Sequence, residues 1–110
     1  MKLLIAGSRS IKDFDLEPYI PNDTELIISG GAKGVDALAE DYADKHNISK
    51  IILRPEYSKY GKAAPLKRNE KMIEMCDELL VIWDKKSRGS LFTIKHAQAK
   101  AKPVKIVTVE

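Results

Sequence analysis

The chain has 110 residues, of which 44% are hydrophobic and 32% are charged, and its net charge is +3. This length and composition exclude a wholly disordered chain and predict one globular domain spanning 1–110. The small positive surplus suits an anionic small ligand and is only weak support for nucleic-acid binding. The single cysteine, Cys76, excludes a disulfide framework and a multi-cysteine zinc site, and no metal site is predicted.

No apolar run approaches the roughly 20 residues that a membrane helix needs. The first segment, Met1–Gly7, is also too short in apolar positions for the hydrophobic region of a signal peptide. We therefore expect a cytoplasmic protein with no membrane partner.

Strands and helices alternate along the chain. The strands are short, uninterrupted apolar runs, and the helix at 34–46 places apolar residues at i, i+3, i+4 and i+7. Pro65 stands where a helix can begin, since proline has no N–H to lose in the first turn. The predicted elements, in chain order, are strand 2–6, helix 13–20, strand 25–29, helix 34–46, strand 50–53, loop 54–64, helix 66–76, strand 79–83, helix 90–101 and strand 104–109.

Strands that are apolar at every position need cover on both faces, which predicts a parallel sheet between two helix layers. With right-handed crossovers, the fold class is α/β: a three-layer, Rossmann-like domain. We expect a five-stranded, mainly parallel sheet flanked by helices, with the strand order 3-2-1-4-5.

Ligands of such sheets bind beyond the carboxyl ends of the strands. Four glycine-bearing polar loops leave those ends, at 7–10, 29–36, 54–62 and 84–90. In the second loop, Gly30 and Gly31 allow close backbone approach, and Gly34 opens a helix whose free N–H groups favour an anion. The loop matches neither a Walker A motif nor G-x-G-x-x-G, and a tight turn without a ligand is the alternative interpretation.

Other residues at this edge also have two interpretations. Ser8 and Arg9 could hold a phosphate oxygen or a carboxylate, or lie on the surface. Asp36 could bind a ribose hydroxyl, act as a base, or stabilise the start of its helix. Trp83 and Tyr60 could stack on a base or cover the rim of the core. Ser90 could cap the last helix or contact a ligand.

Taken in order, these loops resemble the SLOG superfamily, above all its small single-domain members related to YspA and cpYpsA. The resemblance spans almost the whole chain and rests on four segments: Ile5–Arg9, Ser29–Asp36, Tyr60–Met72 and Trp83–Ser90. It implies a Rossmann-like domain that binds a nucleotide or a nucleotide-derived ligand. Relatives include sensor-like proteins of conflict systems, DNA-processing proteins of the DprA/Smf type and molybdenum-cofactor carriers. They often self-associate, so a homo-oligomer is one expectation.

The superfamily also contains the LOG enzymes, which cleave the N-glycosidic bond of a nucleoside monophosphate. Arg68–Met72 is similar to their R-x-x-x-M run. Their P-G-G-x-G-T-x-x-E motif is only partly matched, because its proline and first two glycines are absent and Ser90 replaces the threonine. Thr93 stands where the glutamate of that motif is expected. A hydroxyl cannot supply a carboxylate's charge to an oxocarbenium-like transition state.

Three hypotheses follow. The first is a binding module, a sensor or carrier of a nucleotide or nucleotide-derived phosphorylated ligand. The second is a nucleotide hydrolase of the N-glycosidic type, with Asp36 and Arg68 as candidate catalytic residues. The third is single-stranded nucleic acid binding by the lysines around Tyr57 and Tyr60. The predicted ligand-binding residues are Gly7, Ser8, Arg9, Ser29, Gly30, Gly31, Lys33, Gly34, Asp36, Tyr60, Arg68, Asn69, Trp83, Gly89 and Ser90.

Overall fold

A computed structural model describes residues 1–109. Over these residues the chain forms five strands, four α-helices and two short 3-10 turns. The strands are β1 (Lys2–Gly7), β2 (Leu26–Ser29), β3 (Ser49–Ile52), β4 (Glu78–Trp83) and β5 (Val104–Thr108). The helices are α1 (Val35–Lys45), α2 (Tyr57–Tyr60), α3 (Ala64–Met75) and α4 (Arg88–Ala99), and the 3-10 turns are Glu17–Tyr19 and Gly61–Ala63.

The five described strands form one sheet in the order β3-β2-β1-β4-β5, and every neighbouring pair is parallel. This confirms the predicted fold class and strand order. Alternate residues of β1 face opposite sides of the sheet, because successive side chains in a strand point in opposite directions. Leu3 and Ile5 pack on one side against α1, and Leu4 packs on the other side against α3 and α4.

The two core layers explain why the central strands are apolar between their ends, where Lys2, Ser29 and Glu78 are the only polar residues. The layer beneath α1 includes Ile27 and Ile82 from the sheet and Val35 from the helix, all fully buried. The opposite layer includes Ile28 from the sheet and Cys76 at the end of α3. Burial on both faces is the condition under which a strand reads as a continuous apolar run.

The predicted helix at 13–20 is wrong, since only the 3-10 turn Glu17–Tyr19 forms there. Pro18 explains the difference: inside a helix it lacks the N–H for the backbone ladder, and it also disfavours helical backbone at the residue before it. The Asp15 carboxylate instead accepts the Glu17 N–H at 3.1 Å.

Two boundaries also differ from the prediction. The 54–64 loop contains α2 and a 3-10 turn, and α3 begins at Ala64 with Pro65 in its first turn. Helix α4 begins at Arg88, and its N-cap is Ser87, whose side chain accepts the Ser90 N–H. Ser90 therefore lies inside the first turn and is not the cap.

Candidate functional site

A cleft of about 430 Å³ opens at the carboxyl ends of β1 and β4. It lies between the N-terminal parts of α3 and α4, where the loops after these strands meet the start of α1. We call it the ligand cleft. Its walls are formed by Ala6, Gly7, Arg9, Ser10, Ala32, Asp36, Pro65, Leu66, Arg68, Asn69, Met72, Asp84, Ser87, Gly89, Ser90 and Thr93.

The structure brings part of the predicted ligand-binding set together in this cleft. Gly7, Arg9, Asp36, Arg68, Asn69, Gly89 and Ser90 line it. The remaining predicted residues lie elsewhere. Ser8, Ser29, Gly30 and Gly34 are buried and do not line the cleft, and Gly31, Lys33, Tyr60 and Trp83 also lie outside its walls.

Arg68 is the central polar group of the cleft. It is half-buried on α3, and its Nη1 donates to the carbonyl oxygens of Gly30 at 2.6 Å and Leu53 at 3.5 Å. Its Nε donates to the Asn69 side chain at 2.9 Å. None of the hydrogen bonds within residues 1–109 uses Nη2. A guanidinium carries five N–H donors in a fixed fork, so this arrangement orients Arg68 and leaves donors for a ligand.

Asp36 lies in the first turn of α1, next to Arg68. Its Oδ2 accepts the Ala32 N–H at 3.1 Å. Burial raises the pKa of this carboxyl above its ordinary value, although the Ala32 N–H and the nearby Arg68 both act to lower it. Burial likewise lowers the pKa of Arg68, against the attraction of Asp36. Both groups are therefore partly desolvated, which strengthens their interaction with any charged ligand.

Gly30 separates these two charged side chains. A Cβ at this position would lie 2.8 Å from Arg68 Nη1 and 2.9 Å from Asp36 Oδ2. The absence of a Cβ at Gly30 thus leaves room for both the guanidinium and the carboxylate beside the loop. The backbone N–H groups of the next two residues form hydrogen bonds within the protein, because Gly31 N–H donates to Ser29 Oγ and Ala32 N–H donates to Asp36.

Gly34 holds the start of α1 against the loop after β1. Its φ is +75°, and a Cβ there would lie 2.5 Å from the Ser8 carbonyl oxygen. The same carbonyl accepts the Val35 N–H at 3.4 Å. Gly31 is constrained as well, with a φ of +72° and only 2.9 Å between a Cβ there and Ile52 Cγ2, so all three glycines that suggested a phosphate loop have a role within the protein itself.

Asp84 joins the loop after β4 to the loop after β1. Its Oδ1 accepts the N–H groups of Lys86 at 2.8 Å and Ser87 at 2.9 Å, and its Oδ2 accepts from Ser10 Oγ at 2.9 Å. Asp84 N–H in turn donates to Ser8 Oγ at 3.0 Å. The two backbone N–H donors lower the pKa of Asp84 to about 2, so it stays ionised. It acts as a brace between the loops.

The first turn of α4 closes the far side of the cleft. Ser87 Oγ receives hydrogen bonds from both the N–H and the hydroxyl of Ser90. The Thr93 hydroxyl donates to the Gly89 carbonyl at 2.9 Å. Thr93 therefore lies in the cleft wall where the LOG motif would place its carboxylate, and its hydroxyl already has a protein partner.

Trp83 and Tyr60 do not face the ligand cleft. Trp83 packs on the core layer beneath α3 and α4, and its indole N–H donates to the Ser87 carbonyl at 3.0 Å. Tyr60 lines a different cleft of about 360 Å³, beside α3. We call this the side cleft. Its charged residues are Arg54, Glu56, Lys59, Lys67, Arg68, Glu70, Lys71 and Glu74.

The side cleft bears on the nucleic-acid hypothesis. It gathers most of the lysines near the tyrosines, as the composition suggested. It also places three glutamates among them, and Glu70 pairs with Lys67 at 3.9 Å. Tracking of a phosphate backbone depends on an excess of positive charge. The carboxylates reduce that excess and make this surface a weaker site for nucleic acid.

Several wall residues were not singled out from the sequence. Pro65, Leu66 and Met72 form the apolar part of the wall, and Ser10 lies on the loop after β1. The sequence could have indicated two of them, because the spacing of Pro65 and Met72 places them on the same face of α3 as Arg68 and Asn69. Ser10 has no comparable pattern, since its role depends on Asp84, 74 residues away.

Within residues 1–109, no three His, Cys, Asp or Glu side chains are placed so that they could hold a metal ion together. None of the described helices has the length and apolar character needed to cross a bilayer. Comparison of the chain with protein-family models, curated proteins and solved structures finds no match. Membership of the SLOG superfamily therefore stays a prediction from the sequence.

Proposed function

We propose that this protein binds a nucleotide or a nucleotide-derived phosphorylated ligand in the ligand cleft, as a sensor or carrier. The observation that carries the proposal is Arg68, a half-buried guanidinium fixed by protein acceptors while its Nη2 is unused within residues 1–109. Partly buried arginines of this kind bind phosphate strongly, because the charge-assisted hydrogen bonds form with little loss of side-chain freedom.

The rest of the cleft is complementary to the other parts of a nucleotide. Arg9, which also lines the cleft, supplies a second positive charge. Pro65, Leu66 and Met72 offer an apolar surface on which a base can lie, and Leu66 is 41% exposed. Asp36 offers a carboxylate for ribose hydroxyls. The volume of about 430 Å³ falls within the roughly 300–1,000 Å³ of small-molecule sites.

A thermal-shift screen tests the proposal. The panel contains AMP, ADP, ATP, NAD, ADP-ribose, cyclic dinucleotides and a short single-stranded DNA, each at two salt concentrations. A ligand of the native state raises the melting temperature by mass action. Stabilisation by a nucleotide that stays intact overnight supports a sensor or carrier. No shift with any nucleotide would refute the proposal, and a shift with DNA alone that vanishes at high salt would favour nucleic acid.

A matched pair of arginine variants locates the binding. Arg68→Lys keeps the positive charge but removes the guanidinium fork, and loss of a charge-assisted phosphate contact of about 1.5–3 kcal/mol weakens binding roughly 10- to 100-fold. Arg54→Lys is the control. Arg54 also donates to a carbonyl of the glycine loop, Gly31 at 3.2 Å, but it lines only the side cleft. Equal losses in both variants, measured by titration calorimetry, would contradict the assignment.

We also infer a second candidate function, hydrolysis of the bound nucleotide at its N-glycosidic bond. One observation favours it: Asp36 is a buried carboxyl with a raised pKa that lines the ligand cleft beside Arg68. A perturbed carboxyl in a cleft is the usual form of a general acid or base. Overnight incubation with AMP and chromatography of the products test it. Release of free base that Asp36→Asn abolishes would support hydrolysis, and intact AMP would refute it.

A further inference from the structure

A third cleft adjoins the ligand cleft on the side of the loop after β4. It has a volume of about 720 Å³, and its walls include Ser10, Lys12, Asp13, Asp84, Lys85 and Lys86. We call it the lysine cleft. Ser10 and Asp84 line both clefts, and the hydrogen bond of 2.9 Å between them marks the boundary. A ligand longer than one nucleotide could therefore extend from the ligand cleft across this hydrogen bond.

The lysine cleft presents cations that the protein leaves free. Lys12, Lys85 and Lys86 are exposed, and none of the ion pairs within residues 1–109 includes them. Of the two carboxylates nearby, Asp84 is already engaged by backbone N–H groups and a serine hydroxyl. Asp13 is the other. An anionic group placed among the three lysines would meet ammonium groups that form no ion pair within residues 1–109.

The backbone holds two of these lysines in a fixed loop. Lys85 has a φ of +67°, a left-handed conformation that non-glycine residues seldom adopt. Lys86 N–H donates to Asp84 Oδ1 at 2.8 Å, and Asp84 N–H donates to Ser8 Oγ. The loop is thus tied to the end of β1, which also forms the floor of the ligand cleft. The distance between the two clefts is set by the fold.

We propose that the ligand of this protein carries at least one further phosphate beyond the one bound by Arg68, and that the lysine cleft binds it. This proposal rests on the proposed function, since it assigns the first phosphate to the ligand cleft. The ligand class is a nucleotide with a pyrophosphate or polyphosphate chain. A simple nucleoside monophosphate would occupy only the ligand cleft.

Titration calorimetry with AMP, ATP and ADP-ribose at low salt tests the proposal. We expect ATP or ADP-ribose to bind about tenfold more tightly than AMP, as three exposed charge contacts can provide. Preference for ATP would identify a polyphosphate chain, and preference for ADP-ribose a pyrophosphate-linked second sugar. Equal affinity for all three ligands would overturn the proposal.

A triple variant distinguishes the contribution of the lysine cleft to binding from that of the ligand cleft. Lys12→Gln, Lys85→Gln and Lys86→Gln together are expected to remove the preference and leave AMP affinity unchanged. The control, Lys2→Gln, Lys95→Gln and Lys100→Gln, removes the same charge from exposed lysines outside both clefts. Loss of the preference in the control as well would show an effect of net charge alone and would overturn the proposal.

Inorganic pyrophosphate gives a readout that does not depend on nucleotide binding. In amide nuclear magnetic resonance spectra, we expect saturable shifts at Lys12, Lys85 and Lys86, which the triple variant abolishes. Absence of these shifts would refute the lysine cleft. A wild-type chain that binds no nucleotide would refute the proposed function, and the pyrophosphate shifts would still decide whether the lysine cleft binds anions.

Discussion

Gly34 provides a sharp test of how the loops at the carboxyl edge are packed. Its backbone angles are φ 75° and ψ −128°, a region open almost only to glycine. A Cβ at this position would also lie 2.5 Å from the Ser8 carbonyl oxygen and 2.6 Å from the Arg9 carbonyl oxygen. Gly34→Ala therefore combines backbone strain with overlap against fixed backbone atoms.

Gly61 is the matched control. Its angles, φ 56° and ψ −131°, lie in nearly the same region, but a Cβ there would have no neighbour within 4 Å. Gly61→Ala should lower the free energy of unfolding by the strain alone, about 1–3 kcal/mol. Gly34→Ala should lower it by a further 1–3 kcal/mol or so through overlap. Each kcal/mol corresponds to roughly 4–8 °C in melting temperature for a small domain.

Gly89 completes the series. It lies in the first turn of α4 without a positive φ, and a Cβ would come no closer than 4.0 Å to Ser87 Oγ. Gly89→Ala should leave stability unchanged or raise it by up to about 1 kcal/mol.

Urea unfolding followed by the fluorescence of Trp83 measures all three variants, because Trp83 is the single tryptophan of the chain and is half-buried. The expected order of stability is Gly89→Ala, then Gly61→Ala, then Gly34→Ala. Equal losses in Gly34→Ala and Gly61→Ala would refute the close approach of the start of α1 to the loop after β1.

Three further predictions concern the caps and carboxylates of the cleft. Ser87→Ala removes the N-cap of α4 and should lower the free energy of unfolding by about 1 kcal/mol in urea titrations, whereas Ser87→Thr should largely retain it. The pKa of Asp84 is lowered from 3.8 to about 2, so its stabilisation is present above pH 3.8 and is lost as the pH falls towards 2. Thermal melts should show Asp84→Asn less stable than the wild type at neutral pH, and the difference in melting temperature should disappear between pH 3.8 and 2. A difference that does not depend on pH would contradict the role of the Asp84 carboxylate in joining the two loops. The pKa of Asp36 is raised, so the effect of pH on stability is opposite to that at Asp84. The neutral carboxyl stabilises the fold fully below pH 3.8, and this stabilisation is lost as the pH rises through the raised pKa. In the same thermal melts, Asp36→Asn should therefore become more stable relative to the wild type as the pH rises. If it became less stable instead, burial would not be the main influence on the pKa of Asp36.

Much of the architecture could be predicted from the local spacing of apolar residues, glycines and prolines. The apolar runs that became β1, β2 and β4 have no polar interruption because both of their faces are covered, and that fact alone predicts a parallel sheet. The helical spacing along α1 and the proline at the start of α3 placed those helices within one or two residues. The predicted helix at 13–20 did not form, because Pro18 lacks the N–H that an α-helix needs and disfavours helical backbone at the residue before it.

The candidate site was predictable in outline but not in detail. The sequence indicated which loops meet at the carboxyl edge, because parallel strands place their ends together. It could not show that Gly30 and Gly34 serve mainly to let protein segments approach each other. Nor could it show that the Trp83 indole N–H donates to Ser87 or that Tyr60 lines the side cleft. Side-chain direction depends on neighbours that lie far along the chain.

The sequence by itself determined the alternation of strands and helices, the two-sided burial of the central strands and the edge at which polar loops collect. These follow from the spacing of apolar residues and from the local demands of glycine and proline. Tertiary structure alone decided which polar groups meet. Arg68 reaches the Gly30 carbonyl across 38 residues, and Asp84 binds Ser10 across 74. Such contacts depend on the register and order of the strands, because only the assembled sheet brings these loops within hydrogen-bond distance.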